Sequence, residues 1–315
     1  MYWYRVYGER LASDVPLPEA RPTEPGEPAW TFRQLPPAPV AGGDQLLGTQ
    51  DLYPGCQARL YRTGRGHRIV VDDTGVYDLT AGGRDITWQP TPDSTSDFGR
   101  AHLLGRVLAT SLHHQGSLVL HGSAVAYDAG AVIFLAPKHT GKSTLALALT
   151  LAGARLISDD SLAVDAGPVP SVAPGVQSMR LLQDAAAALA GALPVAEQSD
   201  GKVLLASLPP ERLESGRVPI QAIYLLVAAE SISGDRAVDR QPLPPPLAAA
   251  GIVGQGKVAE MLGPAEAPEL LRRAARLASA VPVYRMPVLR DLHRLPEVVT
   301  RVAGWHGQAS ETLSA

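Results

Sequence analysis

Cysteine is almost missing from this chain. Cys56 is the one thiol in 315 residues, which excludes an intrachain disulfide and a cysteine-rich metal centre. Aromatic side chains make up only 5%, so aliphatic packing is expected to build the core. No sustained block of Lys and Arg occurs and the formal net charge is -3, which argues against a nucleic-acid partner. No stretch approaches the roughly 18 consecutive apolar residues of a membrane span. The opening, Met1 to Asp14, carries charges every few residues where a signal peptide needs an uninterrupted apolar core. These absences leave a cytoplasmic protein with no membrane partner as the expectation, and self-association is left open. Cys56 itself reads as a buried or incidental thiol rather than a catalytic one.

What the chain has is 45% hydrophobic residues, enough for two domains or one large one. From Met1 to about Pro92 it is punctuated by turns between short β-prone runs. Tyr2 to Tyr7 and Trp30 to Gln34 are two such runs; Ala58 to Arg62 is expected to pair with Arg68 to Asp72, and Val76 to Leu79 and Asp85 to Gln89 follow, separated by Ala81-Gly82-Gly83. The expectation is a small antiparallel sheet, residues 1–98. It serves either as packing for the next domain or as a recognition edge for a peptide. Thr91 to Ser96 is a polar connector. Arg100 to His114 then spaces Leu104, Val107, Leu108 and Leu112 as an amphipathic helix, with His113 and His114 read as solvated imidazoles at its C-terminal end.

The chemistry concentrates between Ala131 and Asp160. Val132 to Leu135 is an apolar strand, Leu145 to Leu151 is rich in helix formers, and between them lies the loop Ala136, Pro137, Lys138, His139, Thr140, Gly141, Lys142, Ser143, Thr144. The order is strand, phosphate loop, helix. It matches G-x-x-x-x-G-K-[ST] except at the first position, where Ala136 stands. Loop amides and a helix N-terminus aim donors at a polyphosphate, Lys142 reaches the terminal phosphates, and the Ser143 hydroxyl suits Mg2+. ATP with Mg2+ is the implied cofactor pair. A second short strand, Arg155 to Ser158, ends in Asp159 and Asp160. If it runs parallel to the first, both end at one sheet edge and the carboxylates face the phosphates. One of Asp159 and Asp160 would then hold Mg2+ with Ser143, and the other accept a proton; the residues alone do not apportion the roles. A solvated turn is the competing reading.

Together, His121-Gly122, the loop ending Gly141-Lys142-Ser143-Thr144, and Asp159-Asp160 resemble the kinase domain of HPr kinase/phosphorylase. The resemblance covers roughly the C-terminal two thirds of the chain and is strongest from Leu118 to Val164. Tyr4-Arg5-Val6-Tyr7-Gly8 and Ser13 to Pro18 resemble a narrower group, the HPr-kinase-like proteins of lasso peptide and related ribosomal peptide biosynthesis. The resemblance implies an α/β fold, a P-loop kinase domain with a mixed sheet over 99–305; residues 306–315 read as a polar tail. It implies transfer of the ATP γ-phosphoryl group to a Ser hydroxyl of a peptide or protein, including the C-terminal Ser of a lasso precursor. It also implies that His121 orients the terminal phosphate or the proton-accepting acid, and that Arg180, after Pro174-Gly175, braces the transferred phosphate. Lys202, in the turn Asp200-Gly201-Lys202, is similar to a Lys of the peptide-kinase group. Thr144 stands where the bifunctional enzymes usually carry Glu, which speaks against phosphorylase activity. A small-molecule kinase acting on an amino acid, or a non-catalytic nucleotide-dependent peptide-binding module, are the alternatives.

Further on, Leu181 to Leu193 is an Ala-rich helix, Ile220 to Ala228 a strong strand and Gln241 to Pro246 a stiff extended connector. Pro268 to Ala280 reads as a helix whose Arg272, Arg273 and Arg276 form a solvated face. Val283 to Arg285 and Leu295 to Val302 supply a last strand and helix.

Overall fold

The β-prone runs of the N-terminal third pair into one twisted ladder. They are β1 (Tyr2–Val6), β2 (Glu9–Ser13), β3 (Arg21–Pro22), β4 (Trp30–Gln34), β5 (Gln45–Tyr53), β6 (Cys56–Thr63), β7 (Gly66–Val71), β8 (Gly75–Thr80) and β9 (Asp85–Pro90), in the order β3-β1-β2-β4-β9-β8-β7-β6-β5. The computed structural model describes residues 1–39, 45–189, 191, 193–197, 202–205 and 208–307. Over these the protein is mixed α/β and divides into two units, Met1–Val119 with Gly256–Arg273, and Leu120–Gln255 with Ala274–Ala315.

The first unit's sheet is larger than the small antiparallel one expected, and it is mixed. Strands β5 to β9 form an antiparallel meander, but β2 runs parallel to β4 and β4 parallel to β9. The sequence reading passed over β2, β3 and β5. The edge strand β5 alternates only between exposed and half-buried positions, so it lacks the apolar period that marks a strand. Aliphatic side chains dominate the core, as expected, with a few large aromatics set among them. Trp30, Phe32, Tyr77 and Trp88 are fully buried, and the rings of Tyr77 and Trp88 stack at 5.9 Å.

These aromatic cores have polar tips that need partners, and a helical segment supplies them. It comprises α1 (Ser96–His102), a π-helical turn (Leu103–Val107) and α2 (Leu108–His114). Tyr77 OH donates to Gly99 O at 2.7 Å and Trp30 Nε1 to Ser111 Oγ at 2.8 Å, so this segment, placed beyond the connector on sequence grounds, packs in the first unit. His113 and His114 are not the solvated imidazoles expected. His113 is buried with Nε2 3.6 Å from Glu266, and His114 stacks on His67 at 3.8 Å. Arg273 closes the end of α2, donating to the carbonyls of His113 and Ser117. Of the three arginines read as a solvated face, Arg272 and Arg273 pair with Glu269.

After β10 (Leu118–Leu120) the chain enters the second unit, with β11 (Gly122–Tyr127), β12 (Gly130–Leu135), α3 (Lys142–Leu151), β13 (Arg155–Ser158), β14 (Leu162–Asp165), β15 (Ser171–Ala173), β16 (Met179–Leu181), α4 (Gln183–Leu189), β17 (Val195–Glu197), β18 (Val203–Leu205), β19 (Val218–Ala229), β20 (Gln241–Pro242), α5 (Pro245–Val253), β21 (Val283–Leu289) and α7 (Leu295–Trp305); α6 (Ala267–Ala280) starts in the first unit and belongs to the second from Ala274. Its main sheet runs β14-β15-β19-β12-β11-β13, with β21 beside β19, and β16, β18 and β17 form a small separate sheet. Helices α3 and α7 share one apolar core with Val132, Phe134, Tyr224 and Met286 of the sheet. The connector expected over Gln241 to Pro246 is instead a two-residue strand followed by the start of α5, where Pro245 occupies the first turn and has no N–H to lose. His306, expected in the polar tail, is buried: it meets Tyr224 OH at 3.0 Å and Gln221 Oε1 at 2.8 Å. Residues 308–315 of that tail, and Asp200 and Gly201 of the expected turn, lie outside the described residues.

Candidate functional site

Strand β12 is buried along its whole length and is followed by Ala136, whose methyl packs in the α3 core. Ala136 is not among the residues with positive φ, so nothing in the backbone requires the glycine that the motif places there. The left-handed positions of the loop are His139 (φ 64) and Gly141 (φ 94). Thr140 Oγ1 braces the turn by donating to Pro137 O at 2.9 Å. Gly141 is the N-cap of α3 and offers no side chain to cap this end, where the first-turn amides of the helix are presented. Lys142 is only 6% exposed, and its Nζ donates to Ala136 O at 2.8 Å and Pro137 O at 2.9 Å. The ammonium thus lies inside the loop, held by carbonyls with which an anion could compete.

The acids arrive through sheet topology. Strand β11 is antiparallel to both β12 and β13, so those two are parallel to each other and finish at one edge. The parallel relation expected from the sequence is therefore made across an intervening strand. Gly122 permits the close approach: a Cβ there would sit 2.6 Å from Leu135 Cδ2 and 2.7 Å from Phe134 O. A register shift between Ala124 and Val125 follows, and Ala124 pairs with Ser158, the residue before Asp159.

Asp159 and Asp160 occupy different environments. Asp159 is 5% exposed, and its Oδ1 accepts from Ser143 Oγ at 2.9 Å and Ser123 Oγ at 2.5 Å. Burial raises its carboxyl above the usual range, and the neighbouring Asp160 charge adds to this; hydrogen bonds from Ser123 and Ser143 and the Lys142 charge oppose it. Asp160 has φ 69, and this left-handed turn puts its side chain outward, 59% exposed. His121 Nε2 lies 3.8 Å from Asp160 Oδ1, while the His121 N–H donates to Gln255 O at 2.7 Å.

Paired hydroxyl and carboxylate oxygens at 2.9 Å are hard donors of the kind Mg2+ takes, with water and phosphate completing its shell. No group of three or more His, Cys, Asp or Glu among the described residues is placed to hold a metal. The donor set therefore suits an ion that arrives with a polyphosphate better than a resident centre.

The structure brings Lys142, Ser143, Asp159, Asp160 and His121 to one sheet edge. Pro137, Lys138 and His139 are exposed on the loop, and Thr144 is half-buried in the first turn of α3. Arg180 lies on β16, just ahead of α4. Its neighbours Met179 and Leu181 enter the α3 core, so Arg180 faces the opposite, exposed side of that strand. Lys202 is half-buried. Sequence reasoning missed Ser123; the available signal was a hydroxyl inside the otherwise apolar run Ala124 to Tyr127 and its leading Gly122.

No family among known protein families matches this chain, and no curated protein matches it either. Among solved structures it is similar to the Hpr(Ser) kinase/phosphatase from Coxiella burnetii, at 13% identity and a TM-score of 0.31, over 60% of this chain and 95% of that one.

Proposed function

We propose that this protein is an ATP-dependent kinase that transfers the γ-phosphoryl group to a serine hydroxyl of a peptide or protein. The observation that carries the reading is the Ser143 to Asp159 contact at 2.9 Å, which joins the phosphate-loop helix to the acid-bearing strand. Ser143 and Asp159 would hold Mg2+, which when bound neutralises charge on the phosphates. Lys142 would exchange its loop carbonyls for phosphate oxygens, and the first-turn amides of α3 would orient the same group. Asp160, solvent-facing and beside His121, is the acid suited to take the proton of the attacking hydroxyl as that oxygen bonds to the γ-phosphorus and ADP leaves. Positioning and electrostatics supply the catalysis, since phosphoryl transfer asks little covalent chemistry of the protein.

The acceptor is the finer part of the proposal. The motif resemblance supports a peptide ending in Ser, and the N-terminal sheet is the proposed recognition element for it. Incubation with labelled ATP, Mg2+ and such a peptide should transfer label in the wild type and not in Lys142→Ala. Transfer that survives this substitution refutes the mechanism. Label passing to a free amino acid in place of the peptide moves the assignment to a small-molecule kinase. Tight ATP binding without turnover moves it to a binding module.

A further inference from the structure

We propose that Ser123 is a positioning residue that holds the Asp159 carboxylate in its metal-binding orientation, an assignment that rests on the kinase reading above. Strand β11 is buried throughout, and a hydroxyl within it needs a partner. Ser123, with no exposed surface, finds Asp159 Oδ1 at 2.5 Å, the range of a charge-assisted O–H to carboxylate bond. Ser143 Oγ bonds the same oxygen from the other side at 2.9 Å. The two hydroxyls differ in freedom. Ser143 belongs to the first turn of α3 and must turn its oxygen toward a cation to ligate it. Ser123 is fixed by its register opposite Phe134 and stays where it is.

When Ser143 gives up its bond, Ser123 is the donor that remains on Oδ1, and it keeps the carboxylate from rotating away from the space that it and Ser143 share. Hydrogen bonds to a ligating carboxylate of this kind typically change metal affinity about 10–100-fold. The neighbouring Gly122 serves the same end: with a side chain there, β11 could not approach Phe134 and Leu135 closely enough to aim Ser123 at the end of β13.

The test uses the full chain, a non-hydrolysable ATP analogue and Mn2+ followed by electron paramagnetic resonance. Ser123→Ala and Ser123→Cys should weaken Mn2+ binding about 10–100-fold with the analogue present. Analogue affinity without metal should not change, and Ser123→Thr, which retains the hydroxyl, should recover Mn2+ affinity. A melting curve without ligand reports folding, and if Ser123→Ala does not fold, the near-isosteric Ser123→Cys decides. Mn2+ affinity equal to wild type in Ser123→Ala or Ser123→Cys overturns the positioning role and leaves the kinase reading intact. A wild-type chain that binds neither analogue nor Mn2+ overturns both.

Discussion

His121 and Asp160 face one another at the end of β13, with Nε2 3.8 Å from Oδ1, while the adjacent Asp159 turns inward. The outward acid is the one that an acceptor hydroxyl can reach. Asp160→Asn should lower kcat by about 10²–10⁴-fold while leaving nucleotide affinity and thermal stability near wild type, because its side chain is solvent-facing. Steady-state kinetics with a melting curve check this, and an unchanged kcat removes Asp160 from the reaction.

Lys142 has a structural as well as a chemical place. Its buried ammonium satisfies the Ala136 and Pro137 carbonyls, so Lys142→Met should abolish detectable ATP binding and also cost about 1–3 kcal/mol of stability. Isothermal titration and urea unfolding separate the two effects. Full ATP affinity in a folded Lys142→Met chain contradicts the phosphate role.

Gly122 has no room for a side chain beside Leu135 and Phe134. Gly122→Val should destabilise the chain by about 1–3 kcal/mol or more through overpacking. It should also reduce metal-dependent nucleotide binding by displacing Ser123. Wild-type values for both in urea and binding titrations would show that β11 can shift freely.

Histidine burial makes the chain acid-sensitive. Burial, with His114 nearby, holds His67 at about 4, and burial, with His113 nearby, does the same for His114. Burial beside Arg106 and Arg240 sets His102 and His306 at about 4, and His113 is lowered by burial and Arg273. Each is a base whose folded pKa lies below its unfolded value of about 6.5, so the unfolded chain takes up protons first. Stability is therefore complete above pH 6.5 and lost as pH falls toward 4. The raised Asp159 has the opposite sign but is one group against five. Urea midpoints measured from pH 7.5 to pH 4.5 should fall steadily, and a flat profile contradicts the neutral buried state of these imidazoles.

Much of the second unit was legible because its signals are local. The apolar run before the loop, the Gly141-Lys142-Ser143 turn and the helix formers after it each depend on neighbours in sequence. The first unit was less legible. Parallel pairing of β2 with β4 and β4 with β9 joins segments whose partners no local period reveals, and β5 carries the weak pattern of an edge. His113, His114 and His306 read as surface groups because polarity alone does not say which imidazoles find partners inside.

By itself, then, the sequence determined which residue types could meet a polyphosphate and the order of strand, loop and helix that presents them, since backbone propensity and apolar period are properties of short segments; the helix begins at Lys142, ahead of the expected Leu145. Only the tertiary structure decided that β11 lies between β12 and β13, that Ser123 shares Asp159 with Ser143, and that Asp159 is enclosed while Asp160 faces outward. Those outcomes depend on pairing and burial between residues 16 to 36 positions apart, and such contacts are set by how the whole sheet closes rather than by any one stretch of chain.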